Sequence, residues 1–149
     1  SLSELFNNFA VYSKRINKKN SNLTMKILRF ISPVNIFMPV VIFMEDINKN
    51  VKLDYVKNFI EESDETPQLM MRSGSLNFLL LNTFGFDTLT VNGCFEENKK
   101  GDFLLATRSL AVESLNNLGF SIRPSFFLQF NVIKLFLVKL FDVAKNLRS

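Results

Sequence analysis

The sequence predicts an α+β domain: a small antiparallel β-sheet with packed helices, ending in a long apolar C-terminal helix. Three observations lead there. Apolar residues recur at helical spacing near both ends of the chain. Between them lies a β-branched and aromatic run followed by an alternating one. Glycines, asparagines and prolines punctuate the segments. At 149 residues the chain is the size of one ordinary domain and can bury a real core.

Leu2, Leu5, Phe6, Phe9 and Ile16 predict an amphipathic helix over residues 2–17, ended by NKKNSN. Lys14, Arg15, Lys18, Lys19, Lys26 and Arg29 make residues 1–30 a basic helical lead-in. An α+β core over 34–122 and a helix over 124–148 complete the single domain. VNIFMPVVIFM, residues 34–44, predicts a strand buried on both faces, with Pro39 arguing for an edge position or a bulge. Val51, Leu53 and Tyr55 alternate with Lys52 and Asp54, which predicts a second strand and an antiparallel hairpin.

ESDETP reads as a loop and QLMMRS as a short strand. In SGSLNFLLLNTF, Leu76, Leu79, Leu80 and Phe84 share a side, Ser73 or Ser75 can cap, and Gly85 sits where a left-handed residue closes a helix. A further helix is predicted from Asp102 to Leu118, aligning Leu104, Ala111, Leu115 and Leu118 and closed by Gly119. From Ser125 to Leu147 the pattern predicts a long helix with a narrow polar stripe of Asn131, Lys134, Asp142 and Lys145. Lys134 and Lys139 argue against a membrane span, which needs about 20 mostly apolar residues. Its wide apolar face is read as packing on the core or on another chain, giving a route to oligomers. Lying flat on a bilayer is the alternative.

Composition removes whole classes of chemistry. The chain has no histidine, so serine–histidine triads, cysteine–histidine dyads and histidine-bound metals are excluded within it. Cys94, the only cysteine, cannot form an internal disulfide, which favours a reducing, cytoplasmic setting. Beside Val91 and Phe95 it reads as a buried, inert thiol. Glu45-Asp46, Glu61-Glu62, Asp64-Glu65 and Glu96-Glu97 are adjacent pairs, and neighbours on a strand point to opposite faces, so none is a natural acid/base pair. The net charge of +4 invites a nucleic-acid reading. SKRINKKN has no interleaved aromatics, however, and a solvated helix end is preferred. No catalytic residue, metal site or cofactor is expected. Residue 1 is Ser, with no initiator Met or signal-peptide pattern, which reads as a piece of a longer polypeptide.

GFDTLTVNGCFEE, from Gly85, is the stretch on which function turns. Gly85 and Gly93 are too far apart for a phosphate loop and lack its lysine. Asn92-Gly93 predicts a two-residue hairpin turn between strand residues Leu89, Val91 and Phe95, with Asp87 and Thr88 bracing the entry. The chain holds seventeen Phe, two Tyr and no Trp, more rings than a small core must use. Most are assigned to the core. Phe84, Phe86, Phe126, Phe127 and Phe130 are the candidates for an apolar cleft between the sheet and the last helix.

The run from about Ile36 to Gly119 resembles the C-terminal accessory region that follows the catalytic domain in some metallo-β-lactamase-fold hydrolases. PVVIFMEDINKNVKLDY, then LMMRSGSLNFLLLNTFGFDTLTVNGCFEE, then a helix ending in LNNLG carry the likeness. Its centre is Ser73 to Phe84 running into Gly85, Asp87-Thr88-Leu89, Val91-Asn92-Gly93 and Phe95. Such regions are similar in architecture to sterol-carrier-protein-like domains, with an antiparallel sheet, covering helices and an apolar cavity. The resemblance implies a non-catalytic accessory domain that binds an apolar small molecule or packs on an upstream catalytic domain. The alternative is a peripheral membrane or lipid-binding module using the last helix, a membrane-associated form of the same cytoplasmic protein. The family's histidine-and-aspartate metal site has no counterpart here, so no metal or catalytic role passes to any residue. Gly85, Asp87, Thr88, Asn92 and Gly93 are assigned structural turn and cap roles.

Overall fold

The structure is a computed structural model, and it describes residues 1–128 and residue 138. It is a mixed α+β fold built on a five-stranded sheet of order β3-β2-β1-β4-β5. Two helices open the chain, α1 (Leu2–Lys19) and α2 (Asn22–Ile31). The strands are β1 (Val40–Met44), β2 (Lys49–Asp54), β3 (Phe59–Glu62), β4 (Leu69–Met71) and β5 (Phe95–Glu97). Between β4 and β5 come α3 (Ser73–Leu81) and α4 (Gly85–Val91); α5 (Phe103–Leu110) and α6 (Val112–Asn117) follow, then a 3-10 turn, Pro124–Leu128. The expected helix over 125–147 begins inside that turn and otherwise lies outside the described residues.

Local chemistry explains the first elements. Ser1 and Glu4 cap α1 reciprocally, each side chain taking the other's backbone N–H. Leu5, Phe9, Tyr12 and Ile16 recur at helical spacing and are buried. Ser21 caps α2 through the Thr24 N–H, and Thr24, Met25 and Leu28 face inward. The basic helical lead-in over residues 1–30 thus holds two helices, of which the periodicity predicted only the first, over 2–17.

The hairpin of β1 and β2 is antiparallel as expected, with Ile42 opposite Val51. The sheet as a whole is mixed, because β4 lies parallel to β1, with Ile42 opposite Leu69. The registers show how. Val51 faces both Ile42 and Glu62, so β3 leaves the sheet at the level where β4 enters it. Residues 63–68 then cross three strand spacings, about 14 Å, without reversing along the strands. Alternation records which side chains face inward but not strand direction, so an all-antiparallel sheet was the wrong expectation.

Pro39 does not put β1 at an edge. It precedes the first paired residue, Val40, and β1 is the central strand. No ladder bond is lost at Pro39, and the Val41 N–H finds the Gln68 side chain at 2.6 Å. The core is one cluster in which Val40, Ile42, Met44, Val51, Leu53, Leu69 and Met71 from the sheet meet Leu5, Phe9, Met25, Leu76, Leu80 and Leu110 from the helices.

Candidate functional site

The Gly85–Gly93 segment is a helix, not half of a hairpin. Asn92 has φ −87° and ψ −2°, whereas the predicted turn needs positive φ at both central residues. Only Gly93 is left-handed, at φ +62°. The Gly93 N–H reaches the Thr90 carbonyl at 3.3 Å and the Cys94 N–H reaches Leu89 at 2.9 Å, closing α4 in the Schellman arrangement. Gly119 closes α6 the same way, its N–H on Asn116 and that of Phe120 on Leu115, both at 3.0 Å.

Gly85 is not a left-handed closing residue either. It is the first residue of α4, and a Cβ there would lie 2.6 Å from the Leu79 Cα. Glycine is required by close approach of the α3 backbone. Thr88 donates its N–H to the Phe84 carbonyl within the first turn. Asp87 accepts a hydrogen bond from the Ser114 hydroxyl, tying α4 to α6. Cys94 is exposed rather than buried, because it follows the cap instead of entering a strand.

The candidate apolar residues differ in exposure. Phe86 stacks on Phe95 with ring centres 5.9 Å apart, and Phe95 in turn meets Phe103. Those rings fill space. Phe126 and Phe127 pack half-buried on the core. Phe84 is 60% exposed. Phe130 lies outside the described residues. Two open clefts, of about 530 and 520 Å³, are lined by other groups: Asn48, Lys49, Glu62 and Asp64 around one, Lys14, Asn17, Asn22 and Asn58 around the other.

The adjacent carboxylates divide their work. Asp46 accepts the N–H and hydroxyl of Ser73 at the start of α3, and these bonds hold its carboxyl below the usual range. Glu62 pairs with Lys49 and Glu65 with Lys52 across the sheet surface. Among the described residues no group of three or more His, Cys, Asp or Glu could hold a metal ion.

The predicted apolar face of residues 102–118 points outward. The helix breaks at Ala111, where ψ is −5°, into α5 and α6. Leu104, Leu115 and Leu118 are exposed, Leu118 by 73%, while Ser109, Glu113 and Asn116 are buried. Glu113 and Asn116 go inside because α1 and its cap residue Asn20 supply their partners, whereas the buried Ser109 hydroxyl has none among the described residues. Arg15 grips both Glu113 carboxylate oxygens and donates to the Leu80 carbonyl at 3.1 Å. Asn20 and Asn116 exchange side-chain hydrogen bonds of 2.8 and 2.9 Å. Burial, with the Glu113 charge behind it, pushes the Tyr12 hydroxyl far above its ordinary range against the pull of Arg15. Sequence reasoning missed this buried set, since a polar residue within an amphipathic pattern shows no sign of its partner some 98 positions away.

The consequence is an uncovered apolar region at α3, α4 and α6. Leu81, Phe84, Val91, Leu115 and Leu118 are all exposed there. The Asn117 side chain donates to the Thr83 carbonyl at 2.7 Å, which brings the Phe84 and Leu118 neighbourhoods together.

No family model, curated protein or solved structure matches the chain.

Proposed function

We propose that the chain is a non-catalytic accessory domain of a metallo-β-lactamase-fold hydrolase-like protein, and that it acts by packing against the catalytic domain ahead of it. The observation that carries this reading is the outward apolar set Leu81, Phe84, Val91, Leu115 and Leu118. Large apolar side chains exposed on three neighbouring helices favour a contact site. The polar lining of the cleft at Asn48, Lys49, Glu62 and Asp64 suits water better than an apolar small molecule.

Amide hydrogen exchange tests the proposal. In a longer protein encoded with residues ahead of Ser1, residues 78–91 and 112–118 should exchange more slowly than in the isolated chain. Equal exchange in both, or a gene with no upstream domain, sinks the reading.

A further inference from the structure

A second uncovered surface lies on α2. The helix buries Thr24, Met25 and Leu28 and turns Leu23, Lys26, Ile27 and Phe30 outward. Three of those four are large and apolar, with Phe30 86% and Leu23 68% exposed. They stand at i, i+4 and i+7, a single ridge about 10 Å long. A helix apolar on both sides is normally buried on both. This one meets the protein on one side only, and its outer side awaits an occupant.

Charge identifies the occupant. From residue 5 to residue 44 the chain has no Asp or Glu. Arg15 and Arg29 are committed to Glu113 and Asp54. Lys14, Lys18, Lys19 and Lys26 are exposed and make no ion pair among the described residues. Lys14 lines the cleft beside Asn22 at the head of α2. Exposed Lys57 sits there too, next to Val56, whose carbonyl accepts the Asn22 side chain at 2.7 Å. An apolar ridge rimmed by unpaired lysines matches the interface of a bilayer containing anionic lipid.

The other occupants fit worse. A second copy would bring the same lysines face to face across a two-fold axis, with Lys26 in the middle. The residues after Leu128 carry Lys134, Lys139, Lys145 and Arg148 against Asp142, so as a cover for α2 they would add like charge. The Ser21 N–H donates to the Ile122 carbonyl at 2.7 Å, so the chain passes the head of α2 just before that basic segment.

We infer that α2 is a membrane-docking helix: Leu23, Ile27 and Phe30 enter the headgroup–acyl boundary of an anionic bilayer, while Lys14, Lys19, Lys26 and Lys57 bind headgroup phosphates. This goes beyond the partner-domain reading and uses a different surface, so either can fail alone.

Vesicle co-sedimentation of the full chain tests it, using phosphatidylcholine with and without phosphatidylglycerol. Binding is expected to need the anionic lipid and to weaken as salt is raised. The double variant Ile27→Ser/Phe30→Ser should lower partitioning by about tenfold or more. Lys26→Gln should lower it roughly fivefold. Leu118→Ser, on the other surface, should leave it unchanged. In a Cys94→Ser background, a polarity-sensitive dye on Phe30→Cys should shift to the blue with anionic vesicles. Circular dichroism checks that each variant is folded; the substituted side chains are exposed. Three results overturn the inference: no binding to anionic vesicles at low salt, binding indifferent to the double variant, or a sedimenting dimer that the double variant dissolves.

Discussion

α1 and α2 follow one another directly and pack on the same core, yet their outer sides differ in kind. α1 shows solvent Ser3, Glu4, Asn7, Lys14 and Lys18. α2 shows it Leu23, Ile27 and Phe30 around a single lysine. The fold accounts for most of α1: one side is apolar and buried, the other mainly polar and wet, with Val11 its one large apolar side chain there. For α2 it accounts for half. The contrast separates residues that the domain needs for its own stability from residues it carries for something outside itself.

Two phenylalanines sharpen the comparison most. Phe9 on α1 is 2% exposed, and Phe9→Ala should cost about 3–5 kcal/mol in urea denaturation through lost burial and a cavity. Phe30→Ala on α2 should stay within about 0.5 kcal/mol, since its ring is already in water. Equal costs would erase the distinction. Next comes the ion pair that fixes α1 on α6. Arg15→Ala leaves the buried Glu113 carboxylate without its partner and should cost about 3 kcal/mol, whereas changing exposed Lys26 on α2 should leave the melting temperature unchanged.

α2 does have one inner charge link, Arg29 to Asp54, and pH reads it. Burial pushes the Asp54 carboxyl up, but the Arg29 guanidinium and the N–H groups of Lys57 and Val56 outweigh it, and the folded-state value is depressed. The stability this gives is fully present above the unfolded carboxyl range, near about pH 4, and is lost as pH falls through the folded value. Asp54→Asn should flatten that part of the acid denaturation curve; an unchanged acid limb would show that Arg29 contributes nothing there. The smallest effects concern glycines. Gly93→Ala, at φ +62°, should cost about 1 kcal/mol. Gly74→Ala in α3, with ordinary φ and open space around it, should gain about 0.5–1 kcal/mol.

The same contrast explains what the sequence revealed. α1, β1, β2 and α3 were legible because their apolar period matches the side that ends up buried, as with Leu5, Phe9 and Ile16 or Val51 and Leu53. α6 was read inside out. Leu115 and Leu118 looked like core, and nothing near Glu113 or Asn116 announces Arg15 and Asn20 as their partners. Asn92-Gly93 misled because a hairpin turn and a helix closure both want a left-handed glycine. Of the candidate site, the turn and cap residues around Gly85 and Gly93 lie together in α4, with their mechanics revised. Of the apolar candidates, Phe86, Phe126 and Phe127 pack half-buried against the core and Phe84 is exposed, a division that the count of rings does not announce.

The clip between Asn20 and the far end of the domain has a bearing on how the protein is made. The Ile122 N–H donates to the Asn20 side chain at 2.9 Å across 102 positions of sequence. On a ribosome, the junction between the first two helices therefore stays unsealed until nearly the whole domain has left the exit tunnel. Contacts this distant slow closure. Through that interval the greasy ridge of Leu23, Ile27 and Phe30 stands beside the still uncovered inner side of α1, so the newborn polypeptide carries two sticky faces at once.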